Sequence, residues 1–331
     1  MNPRTEFAHA APTTSVFEPG KLAVEPIRVD HKNKGPKPPI KILGYAPKDA
    51  GDYPVVIFLH GFLLENGFYK EILEHVASFG FIMVAPQFHQ LGLNMMDQSD
   101  DDDIAAAAEL TVWLAEGLQH VLPNGVKPDL SKLALAGHSR GGHTAFALVL
   151  GHGDTKNLKF SAIIGVDPVA GQDESSQISP KILTGDPSSW NIGMPALVIG
   201  TGLGDDPKKI TIPWIPFLHW ELPACAPKNV NHWDFYNECK PPCYYFVTED
   251  YGHLDMLDDD AVNFITFMMS QVCKKGTGPK DLMRRTVAGI MVAFLKAKLN
   301  KEEGDLEAIL KVPNLAPAKL DPVEHRTARL T

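Results

Sequence analysis

The 331 residues are 44% hydrophobic and 21% charged, a composition that supplies a sizeable core and excludes disordered, collagen-like and heptad-repeat chains. The formal net charge of −9 argues against a nucleic-acid partner, because binding to polyphosphate needs clustered cations. The longest apolar stretch late in the chain, residues 287–295, is much shorter than the roughly 20 residues of a membrane span. A globular protein without a transmembrane segment is therefore expected.

Apolar runs typical of buried strands alternate with helical patterns along most of the chain. In chain order they are strand 54–61, helix 69–79, strand 81–85, helix 104–118, strand 132–137, helix 143–150, and strands 160–166, 195–200 and 243–248. This alternation predicts an α/β protein with a mostly parallel central sheet flanked by helices. The predicted organisation is an N-terminal extension and start of the fold in 1–40, a single domain in 41–310 and a C-terminal tail in 311–331.

Four aspartates, residues 100–103, stand directly before the alanine-rich helix predicted at 104–118. Acidic side chains are favourable at a helix N-terminus, where unpaired N–H groups and the helix dipole attract negative charge. A metal site is the alternative. With no histidine or spaced ligand set nearby, the helix N-terminus is the preferred interpretation.

The segment 202–240 is long, rich in proline and tryptophan, and without clear periodicity. Long irregular segments in compact domains usually bind something or cover a site, so a lid-like excursion is expected here.

The cysteines are confined to the last third of the chain, at Cys225, Cys239, Cys243 and Cys273. One bridge or a zinc site among the first three stays open, but their spacing matches no zinc motif and ordinary or redox-labile thiols are preferred.

The strongest functional signal is Gly137-His-Ser-Arg-Gly-Gly142. This motif directly follows a predicted strand and directly precedes a predicted helix, which is the context of a G-x-S-x-G nucleophile elbow. In such an elbow a strained backbone exposes the serine Oγ, and the flanking glycines let the chain turn without Cβ clashes. Ser139 is therefore the predicted nucleophile. The alternative is a glycine-rich turn that happens to contain serine.

Two backbone N–H groups are expected to bind the oxyanion that forms when such a serine attacks a carbonyl. One belongs to Arg140, at the N-terminus of the helix after the elbow. The other belongs to Phe62, in the loop after the first predicted strand, where Gly61 permits close approach. The neighbouring His60 is interpreted as a buried residue that shapes this loop rather than a catalytic one.

An acid and a histidine must follow the serine, in that order along the chain. His253 follows the last predicted strand, where a loop can place an imidazole beside the nucleophile, and is preferred to His232 in the excursion. Asp167 follows the strand after the nucleophile helix, whereas Asp205 and Asp206 follow the next strand. Because functional groups gather at strand carboxyl ends, both locations for the acid stay open, with Asp167 preferred.

Four segments of the sequence resemble plant chlorophyllases. They are Gly137-His-Ser-Arg-Gly-Gly142, Val166-Asp-Pro-Val-Ala-Gly171, Tyr251-Gly-His-Leu-Asp255 and Met283-Arg-Arg-Thr-Val-Ala-Gly-Ile-Met-Val-Ala-Phe-Leu295. The similarity runs over nearly the whole chain, and its His-Ser-Arg-Gly-Gly core is more specific than a generic lipase elbow. The resemblance implies an α/β-hydrolase fold and a triad of Ser139, Asp167 and His253.

The resemblance also implies hydrolysis of the ester that joins phytol to the propionate side chain of chlorophyll, and a chloroplast or associated membrane location. Acyl-enzyme catalysis of this kind needs no metal, nucleotide or redox cofactor, so none is expected. Within the excursion, Trp214, Phe217 and Trp220 are predicted to form an apolar wall or lid for the substrate, or a peripheral membrane contact. Packing of a local core is the alternative. The sequence does not predict an oligomeric state.

Two other functions compete with this interpretation. A general lipase or carboxylesterase of the same fold would share every triad residue, so only a comparison of substrates separates the two. A non-catalytic receptor that keeps the hydrolase fold is less favoured, because such receptors typically lack a member of the triad. Here Ser139, an acid and His253 are all present.

Overall fold

The computed structural model describes residues 12–29, 35–88, 100–156, 158–212, 215–261 and 271–327, with only the backbone of residues 210–212 and 215–220. The strands of this part of the chain are β1 (Val24–Pro26), β2 (Ile42–Pro47), β3 (Gly51–Leu59), β4 (Ile82–Pro86), β5 (Val126–His138), β6 (Ala162–Val166), β7 (Ala196–Thr201), β8 (Lys208–Ile212), β9 (Ile215–Leu222), β10 (Cys243–Thr248) and β11 (Leu320–Arg326). The helices are α1 (Lys70–Ala77), α2 (Asp100–Gly117), α3 (Arg140–Ala147), α4 (His232–Glu238), α5 (Lys280–Leu295) and α6 (Gly304–Lys311). Short helical turns cover Asn66–Tyr69, Leu118–Val121, Leu148–His152, Lys296–Asn300 and Pro313–Leu315.

Nine of these strands form one sheet in the order β1-β2-β4-β3-β5-β6-β7-β10-β11. The central pairs, from β4 to β10, run parallel, and antiparallel pairs close both edges. The predicted mostly parallel sheet is therefore confirmed. Strand β4 lies on one side of β3, and β5 lies on the other side. The loops after β3 and β5 therefore leave these two adjacent strands in opposite directions. Such a switch point opens a crevice at the carboxyl edge of the sheet.

Residues of β3 alternate between the two hydrophobic cores that cover the sheet. Val55, Ile57 and Leu59 pack on the side of α2 and α3, whereas Val56 and Phe58 pack on the side of α1 and α5. Successive side chains of a strand point to opposite faces, and both faces of a parallel sheet are covered by helices. This is why the buried strands read in the sequence as continuous apolar runs.

Helix α5 is buried almost throughout its 16 residues and packs with α1 against one face of the sheet. It contains the apolar stretch 287–295. None of the helices in the described ranges combines the length and the hydropathy needed to cross a membrane.

Secondary structure extends beyond the predicted domain boundaries at residues 40 and 310. Strand β1 lies within 1–40, and β11 lies within 311–331 and pairs with β10. Edge strands are short or polar and carry no apolar run, so the sequence pattern does not show them. The division into extension, domain and tail stays a prediction.

The predicted excursion at 202–240 is not an irregular loop throughout. Strands β8 and β9 form an antiparallel hairpin within it, and α4 lies near its end. A capping box starts this helix. The Asn231 side chain accepts a hydrogen bond from the Trp233 N–H, and the Asp234 side chain accepts one from the Asn231 N–H.

The preferred interpretation as ordinary or redox-labile free thiols is wrong for two of the four cysteines. Cys225 and Cys273 form a disulfide, while Cys239 and Cys243 are buried thiols. Burial raises the pKa of the Cys239 thiol above its ordinary value. The disulfide joins positions 48 residues apart, which only the folded chain brings together. Spacing alone therefore gave no signal for the pair.

Candidate active site

Ser139 occupies the turn between β5 and α3 in a backbone conformation that few residues adopt, with φ 57° and ψ −126°. Two glycines make this turn sterically feasible. A Cβ at Gly137 would lie 2.1 Å from the carbonyl oxygen of Gly141, and one at Gly141 would lie 2.4 Å from that of Leu59. The elbow therefore packs too tightly for any other residue at these two positions, as the motif predicts.

Backbone hydrogen bonds hold the strained serine in place. Its N–H donates to the carbonyl of Val166 (3.1 Å), and its carbonyl accepts from the N–H groups of Gly142, His143 and Val169. Strain of this kind persists only where the surroundings fix the backbone. Ser139 itself is partly exposed, so its hydroxyl is accessible at the carboxyl edge of the sheet.

The structure brings Ser139, His253 and Asp167 together in one hydrogen-bonded row. The Ser139 hydroxyl lies 2.8 Å from His253 Nε2, and His253 Nδ1 lies 2.6 Å from Asp167 Oδ2. With Asp167 ionised, Nδ1–H donates to the carboxylate and Nε2 accepts from the serine hydroxyl. This arrangement leaves Nε2 able to take the serine proton.

The Asp167 carboxylate is completely buried but well satisfied. One of its oxygens accepts from the backbone N–H of Thr201 (3.0 Å), and the other accepts from the Thr201 hydroxyl (2.7 Å) and from His253. Burial by itself would raise the pKa of Asp167, but the hydrogen bond and charge of His253, together with His232 and Thr201, lower it to about 2. Asp167 is therefore ionised near neutral pH.

Of the alternatives, His232 lies beside Asp167 on its other oxygen, whereas the two alternative acids pair with lysines. His232 Nε2 is 3.8 Å from Asp167 Oδ1, the oxygen that His253 does not contact, and His232 Nδ1 is 2.8 Å from the Tyr245 hydroxyl. Asp205 pairs with Lys228 (3.6 Å), and Asp206 pairs with Lys274 (2.5 Å). These carboxylates face lysine side chains rather than the histidine beside Ser139.

The loop after β3 lies against Ser139. A Cβ at Gly61 would stand 3.1 Å from the Cβ of Ser139. The guanidinium of Arg140 lies over the ring of Phe62, 5.1 Å from its centroid. The two residues predicted to supply the oxyanion N–H groups are therefore in contact beside Ser139.

His60 shapes this loop, as the sequence predicted. Its Nδ1–H donates to the Gly61 carbonyl (2.8 Å), and its Nε2 accepts from the Phe88 N–H (2.9 Å). Both ring nitrogens are thus used in packing the loop against the chain after β4.

The acidic run 100–103 forms the first turn of α2, which confirms the predicted helix N-terminus. Asp100 is also buried and pairs with Arg140 and with His143, whose Nδ1 lies 2.5 Å from Asp100 Oδ2. The start of α2 is thereby fixed to the elbow helix.

Sequence reasoning missed Thr201 and His138, which touch the triad or its backbone, and Tyr69, which contacts His138. Thr201 binds Asp167, and the fully buried His138 and Tyr69 form a link to the backbone of His253. His138 had one signal, its place next to Ser139 in the elbow motif. Thr201 and Tyr69 had none, because their contacts are made only by folding.

Comparison with known proteins identifies the family. A family model described as chlorophyllase matches residues 12–327. The chain belongs to the chlorophyllase family. It is 44% identical to Chlorophyllase-1 of Arabidopsis thaliana over 313 residues, which cover 94% of this chain and 92% of that protein. It is 42% identical to Chlorophyllase-2 of the same plant over 311 residues, 90% of this chain and 92% of the relative. It is 40% identical over 319 residues to a Citrus unshiu protein named "Chlorophyllase-1, chloroplastic", covering 96% of this chain and 90% of that protein.

Chlorophyllases are carboxylic ester hydrolases of the serine type on the α/β-hydrolase fold. The central sheet and its helices have that fold, so the predicted fold class and enzyme class are confirmed.

The predicted substrate wall stays a prediction. Trp214 lies outside the described residues, and Phe217 and Trp220 belong to the part of β9 of which only the backbone is described.

Proposed function

We propose that this chlorophyllase-family protein hydrolyses the phytyl ester of chlorophyll to chlorophyllide and phytol, with Ser139 as nucleophile, His253 as general base and Asp167 as the orienting acid. The observation that carries the proposal is the unbroken hydrogen-bonded row from Ser139 Oγ through His253 to Asp167. Similarity to known chlorophyllases over nine-tenths of the chain supports the choice of ester.

In the acylation half-reaction, Ser139 Oγ attacks the carbonyl carbon of the ester while its proton moves to His253 Nε2. The buried, ionised Asp167 holds His253 in the tautomer that can accept this proton and stabilises the imidazolium that forms. The tetrahedral intermediate then collapses. The imidazolium returns the proton to the phytyl oxygen, and phytol leaves an acyl-enzyme on Ser139.

The negative charge of the tetrahedral intermediate lies on the former carbonyl oxygen. We place that oxygen at the backbone N–H groups of Phe62 and Arg140. Support comes from the contact between these two residues beside Ser139 and from the position of Arg140 at the first residue of α3, where N–H groups point out of the helix.

Water completes the cycle. His253 takes a proton from a water molecule as the water attacks the acyl carbon, and the second tetrahedral intermediate releases the chlorophyllide carboxylic acid, which loses its proton to solvent. The proton returns to Ser139 Oγ, which restores the starting state.

Chlorophyll as substrate requires a large apolar surface and access to a membrane system. We assign the substrate wall to Trp214, Phe217 and Trp220 of the excursion, where their composition fits a phytyl chain or a peripheral membrane contact. A chloroplast location is supported by the Citrus relatives, whose names carry the word chloroplastic.

A comparison of two substrates tests this function. Purified protein and a Ser139→Ala variant are incubated with chlorophyll a in mild detergent, and chlorophyllide is followed by its partition into the aqueous phase. A short p-nitrophenyl ester is assayed in parallel. Conversion of chlorophyll by the wild type and its loss in the variant are expected. Cleavage of the short ester alone would indicate a general esterase, and inactivity on both would indicate a receptor.

A further inference from the structure

We propose that His138 and Tyr69 are positioning residues, which join the oxyanion loop to the backbone of the catalytic histidine through one hydrogen-bonded chain. This inference rests on the proposed roles of His253 and of the loop at Phe62. Neither His138 nor Tyr69 touches the reacting atoms in this proposal. They act by fixing two catalytic segments relative to each other.

Each link of the chain has ordinary hydrogen-bond geometry. The N–H of Gly61 donates to the Tyr69 hydroxyl (3.2 Å), and that hydroxyl lies 2.7 Å from His138 Nδ1. At the other end, His138 Nε2 lies 3.0 Å from the backbone carbonyl of His253. Tyr69 and His138 both have no exposed surface, so water does not compete for these bonds.

The direction of every bond follows from its end points. The His253 carbonyl can only accept, so His138 must carry its proton on Nε2 and accept at Nδ1. The Tyr69 hydroxyl must then donate to Nδ1, which leaves its oxygen to accept from Gly61. Burial, with the neighbouring His253, lowers the pKa of His138 to about 3, and burial raises the pKa of Tyr69. Both groups therefore keep the neutral forms that this chain needs.

The chain connects two segments that the sheet holds apart. Gly61 belongs to the loop after β3, and His253 belongs to the loop after β10, with β5, β6 and β7 between those strands. No backbone bond of the sheet joins β3 to β10 directly. His138, at the end of β5, lies between them, and its ring is 4.7 Å from that of His253 between centroids.

The function of such a link is geometric. The imidazole must stay within hydrogen-bond reach of Ser139 while the oxyanion N–H groups stay on the other side of the attacked carbon. A displacement of about 1 Å in either group can lower the rate by roughly a hundredfold. Loss of the chain should therefore lower kcat more than it changes KM.

Substitutions in the full chain test the proposal. The variants are Tyr69→Phe, His138→Leu, their combination and His138→Gln, whose amide N–H can still donate to the His253 carbonyl. Tyr53→Phe is the matched control, because the Tyr53 hydroxyl donates to the Asp49 carbonyl in an exposed turn far from the site. For each protein, kcat and KM are measured on a short p-nitrophenyl ester and on chlorophyll a, and thermal unfolding reports folding.

We expect Tyr69→Phe and His138→Leu each to lower kcat on both substrates by at least about tenfold, or about 1.4 kcal/mol, with KM changed less than about twofold. The combined variant should be little worse than His138→Leu, because both changes break the same chain. His138→Gln should recover part of the loss, and Tyr53→Phe should match the wild type.

Wild-type kcat in Tyr69→Phe would overturn the proposal, and it would do so even if His138→Leu did not fold. A change confined to KM, or an equal loss in Tyr53→Phe, would overturn it as well. Failure of the underlying triad has a different signature. In that case Ser139→Ala would retain activity, whereas failure of the positioning role alone leaves Ser139→Ala inactive and the Tyr69 variant unaffected.

Discussion

Replacing Asp167 with asparagine removes the negative charge of the proposed acid with almost no change of shape. It also replaces one carboxylate oxygen, an acceptor, with an NH₂ group, a donor. In the wild type one carboxylate oxygen accepts from the Thr201 N–H, and the other accepts from the Thr201 hydroxyl and His253 Nδ1–H. If the amide oxygen faces the Thr201 N–H, the NH₂ group points at His253 Nδ1. The ring proton then moves to Nε2, where it blocks proton transfer from Ser139.

The opposite orientation of the amide keeps the productive tautomer of His253, but it points the NH₂ group at the Thr201 N–H, which is also a donor. Two buried donors without acceptors cost about 1–3 kcal/mol. The unproductive orientation is therefore favoured by roughly 5- to 150-fold. The negative charge that stabilises the imidazolium is lost in both orientations. Together these effects should lower kcat by about 10³- to 10⁴-fold.

The assay measures kcat for a p-nitrophenyl ester and for chlorophyllide formation from chlorophyll a. Asp206→Asn is the matched control, since Asp206 pairs with Lys274 and not with His253. The control should keep wild-type activity. The reasoning is refuted if Asp167→Asn keeps more than about a tenth of the wild-type kcat, or if Asp206→Asn falls as far.

Three further predictions concern stability. Burial raises the pKa of Asp258 to about 7, above its unfolded value, so its protonated form favours folding below about pH 4 and this contribution is lost as the pH rises through about 7. In urea titrations, wild type should lose more stability than Asp258→Asn between about pH 4 and pH 8. Phe146 is fully buried against two aromatic rings, each 5.2 Å away between centroids, so Phe146→Ala should lower the free energy of unfolding by about 3–5 kcal/mol. The Cys225–Cys273 disulfide closes a span of 48 residues, so replacing both cysteines with serine should cost about 4 kcal/mol and lower Tm as reduction of the wild type does.

Each of the three stability predictions has a result that would contradict it. Parallel pH profiles for the wild type and Asp258→Asn would show that its carboxyl titrates normally in the folded state. A loss below about 1 kcal/mol in Phe146→Ala would mean that the core collapses into the space. An unchanged Tm on reduction would mean that the disulfide constrains the unfolded chain little.

The central strands could be predicted from sequence because a strand that is buried on both faces has a continuous run of apolar residues. The run at 243–248 has the same bounds as β10, and the run at 54–61 overlaps β3, which begins three residues earlier. The hairpin of β8 and β9 and the edge strand β11 could not be predicted. Strand β11 is polar and β9 contains Pro216, so neither shows the alternation that marks a strand.

The elbow could be predicted because its constraint is local. Gly137, Ser139 and Gly141 are close in sequence, and their steric requirement is visible in the motif. The place of His253 followed from chain order and the end of a strand. The choice of Asp167 over the later aspartates did not follow from order alone, because both locations lie at strand ends.

The remaining contacts could not be predicted because they join distant parts of the chain. The bond between Tyr69 and His138 spans 69 residues, and the pairing of Cys225 with Cys273 spans 48. Such partners are chosen by the three-dimensional arrangement of strand ends, which a single sequence does not reveal.

Covalent labelling of the nucleophile tests the central claim most directly. The enzyme is titrated with diethyl p-nitrophenyl phosphate, released nitrophenolate is counted, the modified peptide is identified by mass spectrometry, and chlorophyllide formation is measured at each point. We expect phosphorylation of Ser139 and a loss of chlorophyll hydrolysis in proportion to it. Full modification of Ser139 with chlorophyllide formation intact, or inactivation with the label on another residue, would contradict the account.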